Sequence, residues 1–269
     1  MKVVISPVTR ICPAPGLLSE YTSPLLFAEK TKRLYDYLSS LPLAQLKQVL
    51  RCSDKLTRET AELYRRTSLE KDVTPAILAF HSMQFTCMSP DVFDRGWYEH
   101  MQRNVRIISP LYGLLRPFDG IVDHRLEIRA KIDLDGAHTL YDYWADLPSR
   151  ALFEDGDRVV IDLSTPSYSW LIRKNMPADT QWIHCRFGVP QGHQIVKTGV
   201  RAKMAKGTLI RQIAQGKIQN LNDLTTFQEY GYRFSRELSQ ENQYVFVANG
   251  YPAQPAPAQQ KSEPDDPEA

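Results

Sequence analysis

Short runs of aliphatic and β-branched residues recur along the chain, separated by longer stretches whose apolar residues follow helical spacing. The clearest run is RVVIDLS at residues 158–164, and others lie at residues 2–6, 105–109 and 244–248. Runs of this length predict buried strands, and the intervening stretches predict helices. No internal repeat or strong linker divides the chain. We therefore predict an α/β (α+β) fold, a single domain with a mixed β-sheet flanked by helices.

The C-terminal 19 residues differ from the rest in composition. They are rich in Pro and Gln and carry four acidic residues against one Lys, a net charge of −3, whereas the whole chain has a net charge of +2. A segment without apolar periodicity has little surface to bury. The sequence therefore predicts a folded domain over residues 1–250 and a disordered acidic tail over residues 251–269.

Several classes of protein are disfavoured by what the sequence lacks. The N-terminal apolar run is too short for a signal peptide, and no stretch approaches the ~20 apolar residues of a membrane span. We therefore expect a cytoplasmic protein with no membrane partner. The four cysteines are scattered without CxxC spacing, and GxGxxG, GxxxxGK[ST], GxSxG and HExxH are absent. We expect no metal and no cofactor, and no motif decides whether the chain is an enzyme.

A basic segment without any acidic residue lies between Asp179 and Asp223. It carries seven basic residues, which are Arg186, Lys197, Arg201, Lys203, Lys206, Arg211 and Lys217. Segments of one charge sign are typical of proteins that bind nucleic acid, because contacts to phosphate release counterions. The alternative is a solvated basic face on a packed helix. We take the seven residues as candidate nucleic-acid contacts.

The same segment is predicted to contain two helices joined by a short hairpin. A helix over residues 202–215 ends at Gly216, and a short helix capped by Asn222 follows over residues 221–227. On the first helix, Lys203, Lys206 and Arg211 are expected on related faces. Two helices joined by a tight turn can present backbone N–H groups to a DNA phosphate. We therefore predict a helix-hairpin-helix-like element.

Polar and charged residues outside this segment suggest a different function. They cluster in SDK at residues 53–55, in LYGLLRPFD at residues 111–119 and in RLE at residues 125–127. If they converged on one pocket, the chain could be an enzyme acting on a nucleotide, nucleobase-like or other small phosphorylated substrate. The catalytic candidates for that alternative are Ser6, Ser53, Asp54, Lys55, Arg116, Arg125, Glu127 and Lys203. For Ser53 a helix cap is the favoured interpretation, whereas Arg116 is equally compatible with a buried ion pair.

These segments, in this order, resemble the motifs of the YaaA family. The family's ISPAKT, SDKLA, LYGxLRPxD, YRLEM, LYxFW, AKxARG and LxxFxxxGY have counterparts at residues 5–10, 53–57, 111–119, 124–128, 140–144, 202–207 and 224–232. The resemblance implies a positively charged cleft, a helix-hairpin-helix-like element, binding of duplex or distorted DNA, and protection against iron-driven oxidative damage under peroxide.

Three motifs depart from the family pattern. Thr9 stands where the family has Lys, the family's FKGDVYxGL is FHSMQFTCM at residues 80–88, and its SxEY is TPSY at residues 165–168. We interpret the chain as a diverged member. Our first hypothesis is a DNA-binding stress protein with nucleic acid as partner. The second is an enzyme with a small-molecule ligand, and an enclosed pocket rather than an open groove would favour it.

Overall fold

The computed structural model of the chain describes residues 1–14, 16–71, 73–191, 194–197 and 199–248. The predicted tail at residues 251–269 lies outside these ranges, as do the last two residues of the predicted domain. Within them the chain is a mixed α/β protein, as the sequence predicts. One hydrophobic core joins residues from the first described strand to the last, among them Val3, Trp144 and Phe246.

The helices and strands have the following bounds in the described ranges. The α-helices are α1 (Ala28–Ser40), α2 (Leu43–Leu50), α3 (Asp54–Arg66), α4 (Ala76–Ala79), α5 (Met83–Met88), α6 (Arg95–Asn104), α7 (Leu140–Trp144), α8 (Leu147–Phe153), α9 (Pro166–Arg173), α10 (Gly199–Ala214) and α11 (Leu221–Thr225). The strands are β1 (Lys2–Ile5), β2 (Thr74–Pro75), β3 (Val105–Ser109), β4 (Gly113–Leu115), β5 (Gly120–Ile121), β6 (Lys131–Leu134), β7 (Ala137–Thr139), β8 (Val159–Asp162), β9 (Gln181–Gln191), β10 (Gln194–Lys197), β11 (Gln228–Glu229), β12 (Tyr232–Phe234) and β13 (Gln243–Ala248).

Nine of these strands form one mixed sheet. Their order is β11-β12-β13-β9-β8-β1-β3-β4, and β10 pairs with β9. The five strands β13, β9, β8, β1 and β3 run parallel, whereas the outer strands pair antiparallel. Every residue of β1 and β3 is buried. Parallel strands are normally covered on both faces, which explains why these segments read as continuous apolar runs rather than as alternating ones.

The motif at residues 111–119 packs against the motif at residues 140–144 through a glycine. Gly113, in the LYGLLRPFD segment, has a φ of +71°, and a Cβ placed on it would lie 2.8 Å from the ring of Trp144. The Trp144 indole is fully buried and donates a hydrogen bond to the carbonyl oxygen of Pro110 (2.9 Å). Only glycine combines this backbone conformation with this close approach. The two motifs are therefore parts of one packing unit.

A second glycine sets the contact between α5 and α10. A Cβ on Gly207 would lie 2.1 Å from the carbonyl oxygen of Gln84. The two helices therefore approach at backbone distance, closer than any larger residue allows. Helix α5 lies within the departing motif at residues 80–88, and α10 carries most of the basic segment. Their contact fixes the position of α10 against α5.

Local hydrogen bonds explain where several helices begin. Ser53 Oγ accepts from the N–H of Leu56 (3.3 Å), so Ser53 is the cap of α3. Residues 89–104 do not form one continuous helix. A short 3-10 turn at Pro90–Val92 ends the first part, and Asp94 caps α6 by accepting from Trp97 N–H (2.9 Å).

Three further features of the described part bear on function. It contains no helix long and apolar enough to cross a membrane. It contains no group of three or more His, Cys, Asp or Glu side chains arranged to hold a metal ion. All four cysteines are unpaired, and burial raises the pKa of the Cys185 thiol above its ordinary value.

Candidate functional site

A pocket lies at the carboxyl end of the central strands. Within the sheet, β1 lies between β3 and β8, so the strand order reverses its direction at β1. Ligands of open α/β sheets bind at such switch points, outside the carboxyl ends of the strands. The cavity has a volume of about 320 Å³. It is lined by the segments after β1 (Ser6, Pro7, Val8) and β8 (Leu163, Ser164, Thr165), by β9 and β10 (His184, Cys185, Arg186, Phe187, Ile195), by α10 (Gly199, Ala202, Lys203, Lys206) and by the start of α5 (Ser82, Gln84).

The lining of this pocket is positively charged. Lys206 Nζ donates to the carbonyl oxygen of Leu163 (2.7 Å), and Arg186 Nη2 donates to that of Ile195 (3.4 Å). Lys203 is exposed at the pocket, and in the described ranges no carboxylate pairs with it. None of the described lining residues is Asp or Glu. The pocket therefore favours an anionic ligand.

A carboxylate and an imidazole are paired beneath the pocket. The register of β8 and β9 sets Asp162 beside His184, and Asp162 Oδ2 lies 3.1 Å from His184 Nδ1. Asp162 Oδ2 also accepts from the indole of Trp182 (3.1 Å), and Oδ1 accepts from the N–H (2.8 Å) and hydroxyl (2.5 Å) of Ser164. Burial alone would raise the pKa of Asp162, but the bonds from His184 and Ser164 lower it. The carboxylate is therefore ionised, and it holds the proton of the imidazole on Nδ1.

Polar atoms on the wall of the pocket lack partners. The buried atoms Ser82 Oγ and Gln84 Nε2 have no hydrogen-bond partner among the described residues. Both residues belong to the departing motif at residues 80–88. Thr165, from the other departing motif, also lines the pocket, and its N–H donates to Ser6 Oγ (3.0 Å). Buried polar groups are normally hydrogen-bonded, so these two atoms are exceptions among the residues that line the pocket.

The eight catalytic candidates do not converge on this pocket. Only Ser6 and Lys203 line it. The three from the SDK segment lie at the start of α3. There Ser53 is the helix cap, Asp54 pairs with Lys47 (2.6 Å), and Lys55 approaches Glu59 (4.0 Å). These are ordinary surface interactions of two neighbouring helices.

Arg116 forms the buried ion pair that its sequence context suggests. Its Nε donates to Asp119 Oδ1 (2.9 Å), and Ser23 Oγ donates to the same oxygen (2.7 Å). Asp119 Oδ2 accepts from the N–H of Arg116 (2.9 Å). Asp119 is fully buried, and this burial raises its pKa although the surrounding hydrogen bonds lower it. The pair supports the loop between β4 and β5.

Arg125 and Glu127 lie in other places. Arg125 lines a shallow concavity of about 410 Å³ together with Arg10 and Arg66. The exposed Glu127 accepts a hydrogen bond from the hydroxyl of Tyr168 (3.2 Å), and burial raises the pKa of that hydroxyl. The eight predicted residues therefore do not form one site.

The seven basic residues are also distributed over more than one face. Lys203 and Lys206 share the pocket face of α10, while Arg211 and Lys217 line a separate concavity of about 500 Å³ beside Tyr230. The Arg201 guanidinium donates twice to the Tyr230 carbonyl oxygen (2.6 and 3.2 Å). Arg186 belongs to the pocket, and the side chain of Lys197 is outside the described part. Arg211 follows Lys206 by five residues, about 140° around the helix axis.

The backbone N–H groups of the turn between α10 and α11 donate hydrogen bonds to side chains of the same turn. The cap of α11 is Asn220 rather than the predicted Asn222. Asn220 Oδ1 accepts from the N–H groups of Asn222 (2.9 Å) and Asp223 (3.1 Å). The Asp223 carboxylate in turn accepts from the N–H groups of Gln219 (2.8 Å) and Asn220 (3.2 Å). The helix-hairpin-helix-like contact with DNA stays a prediction, and a phosphate at this turn would compete with a carboxylate.

Asp162 and His184 are the residues of the candidate site that sequence reasoning missed. They are 22 residues apart, and only the parallel register of β8 and β9 brings them together. One feature of the sequence could have indicated Asp162. Asp162 ends the clearest apolar strand of the chain, where a buried acid requires a partner.

Known proteins are similar to this chain over most of its length. The family described as peroxide stress protein YaaA matches residues 1–238. A UPF0246 protein of Desulfitobacterium hafniense is 35% identical over 247 residues, which are 92% of this chain and 98% of that protein. A UPF0246 protein of Agathobacter rectalis is 32% identical over 246 residues, 91% and 98% of the two chains. A UPF0246 protein of Lactobacillus helveticus is 35% identical over 220 residues, 82% and 87% of the two chains.

Proposed function

Because the chain belongs to the family of the peroxide stress protein YaaA, we propose that it acts in peroxide stress by binding a small anionic ligand of the nucleotide class in the switch-point pocket. The observation that carries this proposal is the lining itself. Arg186, Lys203 and Lys206 meet there without an acidic residue among the described lining residues. This ligand class is the one that the sequence suggests for the alternative to DNA binding.

The size and polarity of the pocket support a ligand of this class. A volume of about 320 Å³ lies within the range of small-molecule sites. A DNA duplex, whose major groove alone is about 12 Å wide, does not fit such an enclosed space. The exposed Lys203, together with Arg186 and Lys206 in the same lining, can pair with the phosphate of such a ligand.

Isothermal titration calorimetry tests this proposal. Inorganic phosphate and the four nucleoside monophosphates are titrated into wild type and Lys203→Gln, with Lys55→Gln as matched control. Lys55 is an exposed helical lysine remote from the pocket. We expect at least one nucleotide to bind, with Kd raised about fivefold to tenfold by Lys203→Gln, corresponding to ~1 kcal/mol, and unchanged by Lys55→Gln. Equal affinities for all three proteins would refute binding at this pocket.

A second candidate function is phosphate-mediated binding of DNA. It is favoured by the exposure of Lys203 and Lys217 in a segment that contains no acidic residue. Neither lysine has an ion-pair partner within the described part. On this hypothesis, the protein binds DNA in the cytoplasm and thereby protects it against iron-driven damage. The enclosed pocket then has no necessary role.

A salt series on labelled duplex and bubble DNA tests the second candidate. Each lost phosphate contact lowers the slope of log affinity against log salt by about 0.9. Lys203 and Lys206 share one face of α10, and Arg211 lies on another. One duplex can therefore contact two of the three, and the triple variant to Gln should lose a slope of about 1.8. An unchanged slope would remove α10 from any DNA interface.

A further inference from the structure

We infer that His184, held by Asp162, is the proton-transfer group of the switch-point pocket, which makes the pocket an acid–base catalytic site. The inference rests on the proposed function, since it takes the anionic, nucleotide-class ligand as the substrate. It adds a reaction to what is otherwise a binding site.

The first argument is the fixed geometry of the pair. The Asp162 side chain is 1% exposed, and both its oxygens are occupied by donors from Ser164, Trp182 and His184. The carboxylate therefore cannot rotate away from the imidazole without breaking several bonds. With the proton on Nδ1, Nε2 is left as the ring nitrogen that can accept a proton. A carboxylate in this position orients an imidazole and stabilises its protonated form.

The second argument is the position of the imidazole at the pocket. The His184 side chain is 28% exposed and lines the cavity. His124 provides the contrast within the same protein. It is buried, its Nδ1 bonds to the carbonyl oxygen of Val122 (2.9 Å), and burial lowers its pKa to about 4. A histidine that only fills the core resembles His124, whereas His184 combines a buried carboxylate with access to a ligand site.

The third argument is the charge around the imidazole. Lys203, Lys206 and Arg186 line the same cavity and would hold the anionic part of a substrate. His184 would then take a proton from a water molecule as the water oxygen attacks a phosphorus atom of the substrate, and the Asp162 carboxylate would balance the imidazolium formed. As the new P–O bond forms, the P–O bond to the leaving group breaks. The imidazolium gives its proton to the leaving oxygen, so that the free enzyme is restored.

Turnover and binding must be measured on the same proteins. Nucleoside mono-, di- and triphosphates are incubated with full-length wild type, His184→Gln and Asp162→Asn, and the products are analysed by ³¹P NMR and mass spectrometry. His138→Gln is the control, because its imidazole is 80% exposed and lies away from the pocket. We expect wild type and the control to convert at least one compound. His184→Gln should lower kcat about 10²- to 10⁴-fold while changing KM and calorimetric Kd less than about threefold.

A second readout separates positioning by Asp162 from a structural role. ¹⁵N NMR of the imidazoles should show the Nδ1–H tautomer of His184 in neutral wild type, and Asp162→Asn should shift the population toward Nε2–H. This measurement on wild type is independent of how well the variant folds. A neutral wild-type imidazole protonated at Nε2 would overturn the inference, as would nucleotide binding at the pocket without conversion of any compound. Loss of all binding would instead refute the proposed function.

Discussion

Replacing Arg116 with Ala should destabilise the fold and make its stability depend more strongly on pH. The Asp119 carboxylate is fully buried, and Arg116 is the cation that it contacts directly. Breaking a buried ion pair by removal of one partner costs about 3–5 kcal/mol. Asp119 keeps two donors, the hydroxyl of Ser23 and the N–H of residue 116, and the Arg116 side chain is 26% exposed. We therefore expect the lower end, ~3 kcal/mol.

Differential scanning calorimetry can measure this effect. A loss of ~3 kcal/mol corresponds to a fall in Tm of about 6–12 °C for a domain of this size. The control is Arg95→Ala, because Arg95 forms an exposed pair with Glu99 (3.2 Å). Exposed pairs of this kind contribute ~0–1 kcal/mol.

The pH dependence gives the sharper test. Burial raises the pKa of Asp119 in the folded state above that of the unfolded chain. A carboxyl group with a raised pKa favours the folded state most below its unfolded pKa, and this contribution is lost as pH rises through the folded pKa. Removal of Arg116 raises the folded pKa further, so the Tm deficit should shrink as pH falls from neutral toward the raised pKa. Tm values equal to those of Arg95→Ala at every pH would refute the argument.

Three other perturbations have defined outcomes. Gly207→Ala should lower the free energy of unfolding by about 1–3 kcal/mol in a urea titration, because the added Cβ would lie 2.1 Å from the Gln84 carbonyl oxygen. Gly96→Ala in α6 is the control and should be tolerated, because its Cβ would meet only the Asp94 side chain, at 3.3 Å. Asp94→Ala should lower the free energy of unfolding by ~1 kcal/mol, because α6 loses its cap, and Asp94→Ser should recover most of this loss. Thermal melting followed by circular dichroism measures both variants. The buried His124 has a folded pKa lowered to about 4, so its contribution is present above the unfolded value of about 6.5 and is lost as pH falls toward 4. His124→Asn should therefore be less acid-sensitive than wild type over this interval in urea titrations, and equal sensitivity would contradict the assignment.

Elements specified by local patterns could be predicted from the sequence. The bounds of α3 follow from its cap and helical period, and the apolar runs at β1, β3, β8 and β13 are strands. Elements that depend on tertiary contacts were harder. The six residues of α5 have no period of their own, and their helix is held against Gly207 of α10. A short segment fixed by one close backbone approach leaves little trace in its own sequence.

The candidate site shows the same division. The basic character of the pocket could be predicted, because charge is visible in the sequence, and two of the eight candidates, Ser6 and Lys203, line it. The Asp162–His184 pair could not, because it depends on the register between two parallel strands. Of the other candidates, Ser53 caps a helix, Arg116 forms an ion pair with Asp119, and Glu127 accepts a hydrogen bond from Tyr168. A motif identifies a family more readily than it identifies the residues that touch a ligand.

The most direct test of the account is to locate a bound nucleotide by ¹H–¹⁵N NMR. A nucleoside monophosphate is titrated into the labelled protein, and shifts are compared between the two sides of α10. The account predicts that the largest shifts occur at Ser164, His184 and Lys203, which line the switch-point pocket. Shifts centred on Arg211 and Lys217 would contradict it and move the anion site to the concavity beside Tyr230. The absence of any shift at millimolar nucleotide would also contradict the account.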